Sequence, residues 1–218
     1  MIAGVARGRR LLHPGPGTRP LADRVKQAMF GALDPRLPGA RVLDLFAGSG
    51  AGGIEALSRG AASCDFVERD AGATRIIEEN LRRTGLAGPQ ARVHRAEVAA
   101  FLARGGGPFD LVLVDPPFGD AGMLDLLERL ADGPLLRPDA LVVARHFWRD
   151  VLPERVGRLI RQRERRVGEG VVTIYCLAPD APAGAADGRR PDPSDGAAEG
   201  AADGAAGSPE PAGPREAG

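Results

Sequence analysis

An α/β fold with an open, mostly parallel sheet is what this sequence predicts, and three observations carry the prediction. Between residues 41 and 178, short runs rich in Val and Leu alternate with amphipathic segments, the pattern of parallel strands joined by crossover helices. The first run passes into a glycine-rich turn. The last two runs flank a tight turn containing Gly168, which predicts an antiparallel hairpin closing the sheet.

Taken in order, residues 1–40 form a basic arm and a helix ahead of the core. The arm, GRRLLHPGPGTRP, is rich in proline and glycine. Asp23–Leu33 then spaces Val25, Ala28, Met29 and Leu33 at helical intervals, with Asp23 near the start, where the helix dipole favours an anion. Strands are predicted over Arg41–Phe46, Ser63–Val67, Arg92–Arg95, Leu111–Val114 and Leu141–Ala144, with helices between them at about Gly53–Arg59, Ala71–Thr84, Val98–Ala103 and Gly122–Ala131. The hairpin strands are Leu159–Arg166 and Gly170–Leu177. Residues 41–178 make the chemical domain. Residues 179–218 are rich in Ala, Gly and Pro and almost lack large apolar side chains. Such a segment cannot bury enough surface to offset its ordering entropy, so a disordered acidic tail, dispensable for chemistry, is expected.

The 218 residues, 43% of them hydrophobic, suffice for one domain with appendages. No stretch approaches the roughly 18 apolar residues of a membrane span, and MIAGVARGRR lacks a signal-peptide core, so a cytoplasmic monomer without membrane or obligate protein partners is the expectation. Cys64 and Cys176 each sit in a strand-like apolar run and read as buried packing residues. His13, His94 and His146 show no ligand spacing, so no metal site is expected. The net charge of zero conceals segregation: eight acids and three bases fall within residues 179–218, leaving the remainder five charges positive. Arg7, Arg9, Arg10, Arg19, Arg24, Lys26, Arg36 and Arg41 face only Asp23 and Asp34 within residues 1–41, a balance suited to a phosphate backbone or to an ordinary solvated surface.

Three motifs carry chemistry. Val42–Gly53 runs a hydrophobic strand into a glycine turn through Asp44, Phe46, Ala47, Gly48, Ser49 and Gly50. Gly48, Gly50 and Gly53 satisfy G-x-G-x-x-G, a weak pattern that also fits a dinucleotide site. Asp44 separates the readings, because a carboxylate is awkward beside a pyrophosphate yet suits the cationic amino-acid moiety of S-adenosylmethionine. In the second motif, Glu68 and Arg69 follow the second strand, where Glu68 can accept both ribose hydroxyls. Glu97, after the third strand, is a weaker candidate for an adenine amino group and equally a helix N-terminal acid. The third motif, Asp115-Pro116-Pro117-Phe118, ends a buried strand. An exocyclic base amine is a poor nucleophile because its lone pair is delocalised into the ring. The Asp115 carboxylate and the Pro116 carbonyl are suited to accept its two hydrogens, Pro117 stiffens the loop, and Phe118 offers a stacking face for a flipped base. Methyl transfer would be a direct in-line displacement governed by positioning.

These residues resemble the class I methyltransferases, and more closely the RsmD-type family of bacterial 16S ribosomal RNA guanine-N2 methyltransferases, over about residues 2–177. The resemblance rests on Ile2-Ala3-Gly4 with Gly8-Arg9-Arg10-Leu11, Thr18-Arg19-Pro20 followed by Asp23-Arg24-Val25, Leu43–Gly50, Glu55–Ala61 and Asp115–Phe118. It implies a seven-stranded Rossmann-like fold, S-adenosylmethionine as donor, and a guanine of 16S rRNA on the small ribosomal subunit as acceptor, conventionally numbered 966. It also implies RNA contacts by Arg7, Arg9, Arg10, Arg19 and Arg24, and a cofactor lined by Asp44, Gly48, Gly50, Glu68 and Glu97. Three departures stand out. Glu97 replaces the more usual Asp or Asn. Arg145 ends the fifth strand where an acid is more usual, adding phosphate affinity or altering substrate selection. Gly52 enriches the turn at about 1 kcal/mol relative to Ala within a helix.

Rival readings are amino-methylation of adenine in DNA or of a protein glutamine, an NAD-dependent oxidoreductase, and an RNA-binding assembly factor. The basic arm favours nucleic acid over protein, and neither the oxidoreductase nor the assembly factor explains Asp115–Phe118.

Overall fold

In the computed structural model, which describes residues 1–13, 15, 23–117 and 122–178, the alternation of strand and helix runs as the sequence predicts. The elements are α1 (Asp23–Phe30), β1 (Arg41–Leu45), α2 (Ala51–Ser58), β2 (Ser63–Glu68), α3 (Ala71–Thr84), β3 (Ala91–Arg95), α4 (Val98–Arg104), β4 (Phe109–Val114), α5 (Met123–Asp132), β5 (Leu136–Phe147), β6 (Arg155–Val156), β7 (Leu159–Val167) and β8 (Gly170–Leu177). They form one sheet in the order β3-β2-β1-β4-β5-β8-β7-β6. The first five strands are mutually parallel, and β8, β7 and β6 continue the sheet antiparallel.

Among the described residues the sheet has eight strands where seven were expected. The additional one is the two-residue β6, which folds back on the start of β7 across Gly157, whose φ is +54°. Its length hides it from any reading of periodicity. Strand β5 begins five residues before the predicted start, because Arg137, Pro138 and Asp139 interrupt its apolar pattern while the backbone already pairs Leu136 with Phe109. Helix α1 ends at Phe30, short of the predicted Leu33, and is followed by a single 3-10 turn over Asp34–Arg36. Helix α3 has the predicted bounds because both ends are capped. Asp70 Oδ1 accepts from Ala73 N at 2.7 Å, and Gly85 closes the helix in the left-handed region.

Each face of the sheet is covered, as a parallel sheet requires. One face packs Leu43, Leu45, Val112, Val114, Val142 and Tyr175 against α4 and α5. The other packs Val42, Phe66, Leu113, Val143 and Ile174 against α1, α2 and α3. Met29 and Phe30 of α1 are fully buried in this second layer, each worth roughly 1.5–3 kcal/mol, so α1 is part of the core. Cys64 is buried as expected, whereas Cys176 is only half-buried. Among the described residues no helix is long and apolar enough to cross a membrane.

The first nine residues are latched to α2. Both oxygens of the fully buried Glu55 accept backbone N–H groups, from Ile2 at 2.9 Å and Ala3 at 3.0 Å. Ser58 Oγ accepts from Ala6 N and donates to Ala3 O. Gly4 has a φ of +74°, and a Cβ there would lie 1.7 Å from Ser58 O, so no other residue fits.

Candidate active site

The carboxyl edge of the parallel strands gathers the predicted acids. Strand β1 lies between β2 and β4, with Asp44 level with Phe66 on one side and Leu113 on the other. The edge therefore places Asp44, Glu68 and Asp115 on three adjacent strands around the glycine turn. Asp44 is buried, and its Oδ2 accepts from Gly53 N at 2.7 Å at the start of α2. Burial pushes its carboxyl up to about 7, against the Gly53 hydrogen bond, with the charges of Asp115 and Glu68 pushing the same way as burial.

Helix α2 rests on the sheet at backbone distance. A Cβ at Gly53 would fall 2.3 Å from the Phe66 ring and 2.5 Å from Cys64 Sγ. One at Gly52 would lie 3.0 Å from Leu113 and 3.2 Å from both Asp44 oxygens. Gly52 therefore does not loosen the helix, which begins two residues before the predicted start and is buried along its whole length. The glycine is what lets the Asp44 carboxylate sit under the first turn.

Phe46 takes a positive φ of 59°, uncommon outside glycine, as the strand leaves the sheet. Ala47 N donates to Val67 O, and Gly50 N to Ala47 O at 2.7 Å, closing the turn around Gly48 and Ser49. Glu68 anchors it from β2, accepting from Gly48 N on Oε2 and from Asp70 N on Oε1, both at 2.9 Å. Asn80 of α3, fully buried, donates to Ser49 O and Leu12 O and accepts from Leu12 N, tying turn, arm and helix together. Sequence reasoning did not single out Asn80. Its signal was an amide on the face of α3 that otherwise carries Ala73, Ile77 and Leu81.

Asp115 immediately follows β4, with Pro116 buried and Pro117 exposed behind it. Its Oδ1 accepts from Arg145 Nη1 at 2.8 Å, and both side chains are more than three-quarters buried. Burial raises the Asp115 carboxyl above its ordinary value, while the Arg145 guanidinium pulls it down. Arg145 is thus the partner of the carboxylate in the Asp-Pro-Pro loop, a role that neither sequence reading of it anticipated.

The structure leaves other predicted residues apart. Arg69 and Glu97 form an exposed ion pair at 3.7 Å, and Glu97 occupies the N-cap of α4 without a side-chain capping bond. Arg7, Arg9 and Arg10 are exposed, and Arg9 Nη1 donates to the carbonyl of Arg83 at the end of α3. The latch to Ser58 and this contact place those three arginines toward the opposite edge of the sheet from Asp115. Arg24 is exposed at the start of α1. Arg19 and Phe118 lie outside the described residues.

A family model described as conserved hypothetical protein 95 matches residues 1–176. The chain is similar to the Escherichia coli protein named ribosomal RNA small subunit methyltransferase D, 36% identical over 176 residues, covering 80% of this chain and 88% of that one. The solved structure of Escherichia coli yhhF superposes with a TM-score of 0.72 at 34% identity, covering 83% of this chain and 98% of that one. Ribosomal protein L11 methylase from Lactobacillus delbrueckii, 22% identical with a TM-score of 0.62 over 75% of this chain and 83% of that one, shares the fold alone. The fold is that of the class I methyltransferases.

Proposed function

We propose that this chain, which belongs to the conserved hypothetical protein 95 family, is an S-adenosylmethionine-dependent methyltransferase of small-subunit ribosomal RNA, with the exocyclic N2 of a guanine as acceptor. One observation carries the chemistry: a largely buried carboxylate, Asp115, held by Arg145 at the end of β4, on the strand next to Asp44 and its glycine turn. The similarity to ribosomal RNA small subunit methyltransferase D supports the RNA substrate.

The residues present fit the cofactor. Asp44, Glu68 and Asp115 concentrate negative charge at one edge, and a buried acid raised to about 7 is stabilised by a cation beside it. The tight turn through Gly48 and Gly50 lets the backbone approach a ligand closely. S-adenosylmethionine matches this set with its ammonium group and supplies an electrophilic methyl on a cationic sulfur. Asp44 would face the ammonium, Glu68 the ribose, and Phe46, Ala47 and Ser49 the remainder, with Arg69 and Glu97 at the rim toward the adenine.

The protein's own contribution is placement. The Asp115 carboxylate and the Pro116 carbonyl accept the two N–H bonds of the acceptor amine, directing its lone pair at the methyl carbon. S-adenosylmethionine bound there would supply the methyl carbon to that nitrogen, its sulfur would leave as the neutral thioether, and the methylated amine would lose its extra proton to solvent. The ionised carboxylate is the stronger acceptor, and the Arg145 guanidinium opposes the burial that would protonate it. Pro117 stiffens the loop and Phe118 stacks on the flipped base. Arg24 holds a phosphate near the site, Arg7, Arg9 and Arg10 hold more distant ones, and the family resemblance adds Arg19 as a further RNA contact. An NAD-dependent oxidoreductase is disfavoured because the dinucleotide-binding sheet continues β5 with another strand in the order 3-2-1-4-5-6, whereas here β5 is followed by the antiparallel β8.

Nucleoside mapping of small-subunit rRNA from cells with and without the gene tests the reading. Loss of one N2-methylguanosine is expected, and an unchanged set of methylated guanines overturns the assignment.

A further inference from the structure

We propose that the tip of the β7–β8 hairpin, together with Trp148 and Arg24, is a second RNA-gripping surface that holds phosphates of the substrate strand and stacks one of its unpaired bases. This inference rests on the RNA-methyltransferase reading above and extends it from Arg24 to Trp148, Arg149, Arg165 and Arg166, which that reading does not use.

Topology puts the surface beside the chemistry. Strand β5 runs parallel to β4, so Phe147 and Trp148 leave the sheet at the same edge as Asp115. Strand β8 runs back from there, with Gly170 paired to Phe147, so the Gly168 turn also lies at that edge. Trp148 N donates to Glu169 O at 3.0 Å, fixing the indole against the hairpin. The indole is 38% exposed, with the Arg166 guanidinium 4.5 Å and the Arg149 guanidinium 4.9 Å from its centre. On the α1 side, Arg24, Gln27 and Ala28 line an open cleft of about 360 Å³ with Arg165, Arg166 and Val167.

Charge and shape point to a nucleic-acid strand. Arg24, Arg149, Arg165 and Arg166 are all exposed, and among the described residues none of them is paired with a carboxylate. Glu164, the acid within β7, is already engaged by Arg161 at 3.0 Å and by the Thr173 hydroxyl. The acids at the rim are Asp150 and Glu169. Planar guanidiniums bind phosphate oxygens in pairs, and an exposed indole flanked by them offers a base a face at low ordering cost. Arg7, Arg9 and Arg10 sit toward the far edge of the sheet, whereas this cluster is within reach of RNA whose target base is at Asp115.

The test measures binding of full-length protein to small-subunit rRNA across a salt series, alongside methyl-transfer kinetics. R165A/R166A is expected to bind about tenfold more weakly near 0.1 M salt, with the log–log salt slope reduced by about 1.5. W148A is expected to bind about tenfold more weakly with an unchanged slope, since stacking releases no counterions. Both should raise KM and leave kcat within about twofold. R165K/R166K should keep the wild-type slope, which separates loss of charge from loss of fold, and R129A on the far-side helix α5 should change nothing. Wild-type affinity and slope in R165A/R166A and W148A overturn the proposal while leaving the methyltransferase reading intact. If wild-type protein methylates no rRNA, that reading fails, and the binding series still judges the surface. Lost turnover on assembled subunits with normal binding to naked rRNA would assign the surface to a ribosomal protein and overturn the RNA contact.

Discussion

Buried acids occur both outside the candidate site and within it, but under different conditions. On β2, one register position before the level of Asp44, Asp65 accepts from the Arg92 guanidinium at 2.8 and 2.6 Å and meets His94 at 2.6 Å, and these partners hold its carboxyl below the ordinary range despite burial. Glu55, likewise buried, satisfies the backbone of Ile2 and Ala3 and the side chain of Arg59. At the carboxyl edge Asp44 has one backbone donor and two acidic neighbours and is pushed up, and Asp115 is raised in spite of Arg145. Asp65 is given enough donors to stay charged. Asp44 at the candidate site has one donor and would be stabilised in its charged form by a cation beside it.

Asp115→Ala should have the largest effect: methyl transfer falls by on the order of 10²-fold or more while cofactor affinity, read by calorimetry, changes little. At the opposite edge the largest effects should be on stability. Gly4→Ala forces a Cβ onto Ser58 O, and Glu55→Ala strands buried donors, so each should lower unfolding stability by about 2–3 kcal/mol in urea titrations. Turnover per folded molecule should be unchanged in both.

The pH responses of Asp44 and Asp65 should have opposite sign. The folded pKa of Asp44 exceeds its unfolded value of 3.8, so its contribution is fully present below about 4 and is lost as pH rises to about 7. Asp44→Asn should therefore raise the unfolding free energy at pH 8 more than at pH 4, by a difference on the order of a few kcal/mol, while weakening binding of the cationic cofactor. Asp65 has a lowered folded pKa, so its contribution is present above the unfolded value and lost as pH falls through the folded one. Asp65→Asn should cost about 1–2 kcal/mol at pH 7 and flatten the acid limb of the stability curve. The smallest effect is expected from deleting residues 179–218, after which kcat/KM should stay within about twofold.

The strands and helices of the parallel half were legible because their burial follows from local apolar patterning. Asp44, Glu68 and Asp115 were legible because a strand followed by an acid is a local signal. The latch was visible only as two separate motifs, Ile2-Ala3-Gly4 and Glu55–Ser58, with nothing in either to say that one fills the other. Asn80 and Arg145 escaped for the same reason: their partners lie 31 and 30 residues away and are set by sheet order. Tertiary pairing of polar groups is invisible to periodicity, and it decides which charges are tied down.

The position of β8 bears on how the chain can be made. It is the last strand among the described residues, yet it lies between β5 and β7, both of which precede it. During vectorial synthesis β5 must therefore wait with a bare apolar edge, and β7 without its neighbour, until residue 177 is available. A chain cut short before Gly170 would keep every acid of the candidate site and still expose two strand edges, inviting self-association before any chemistry.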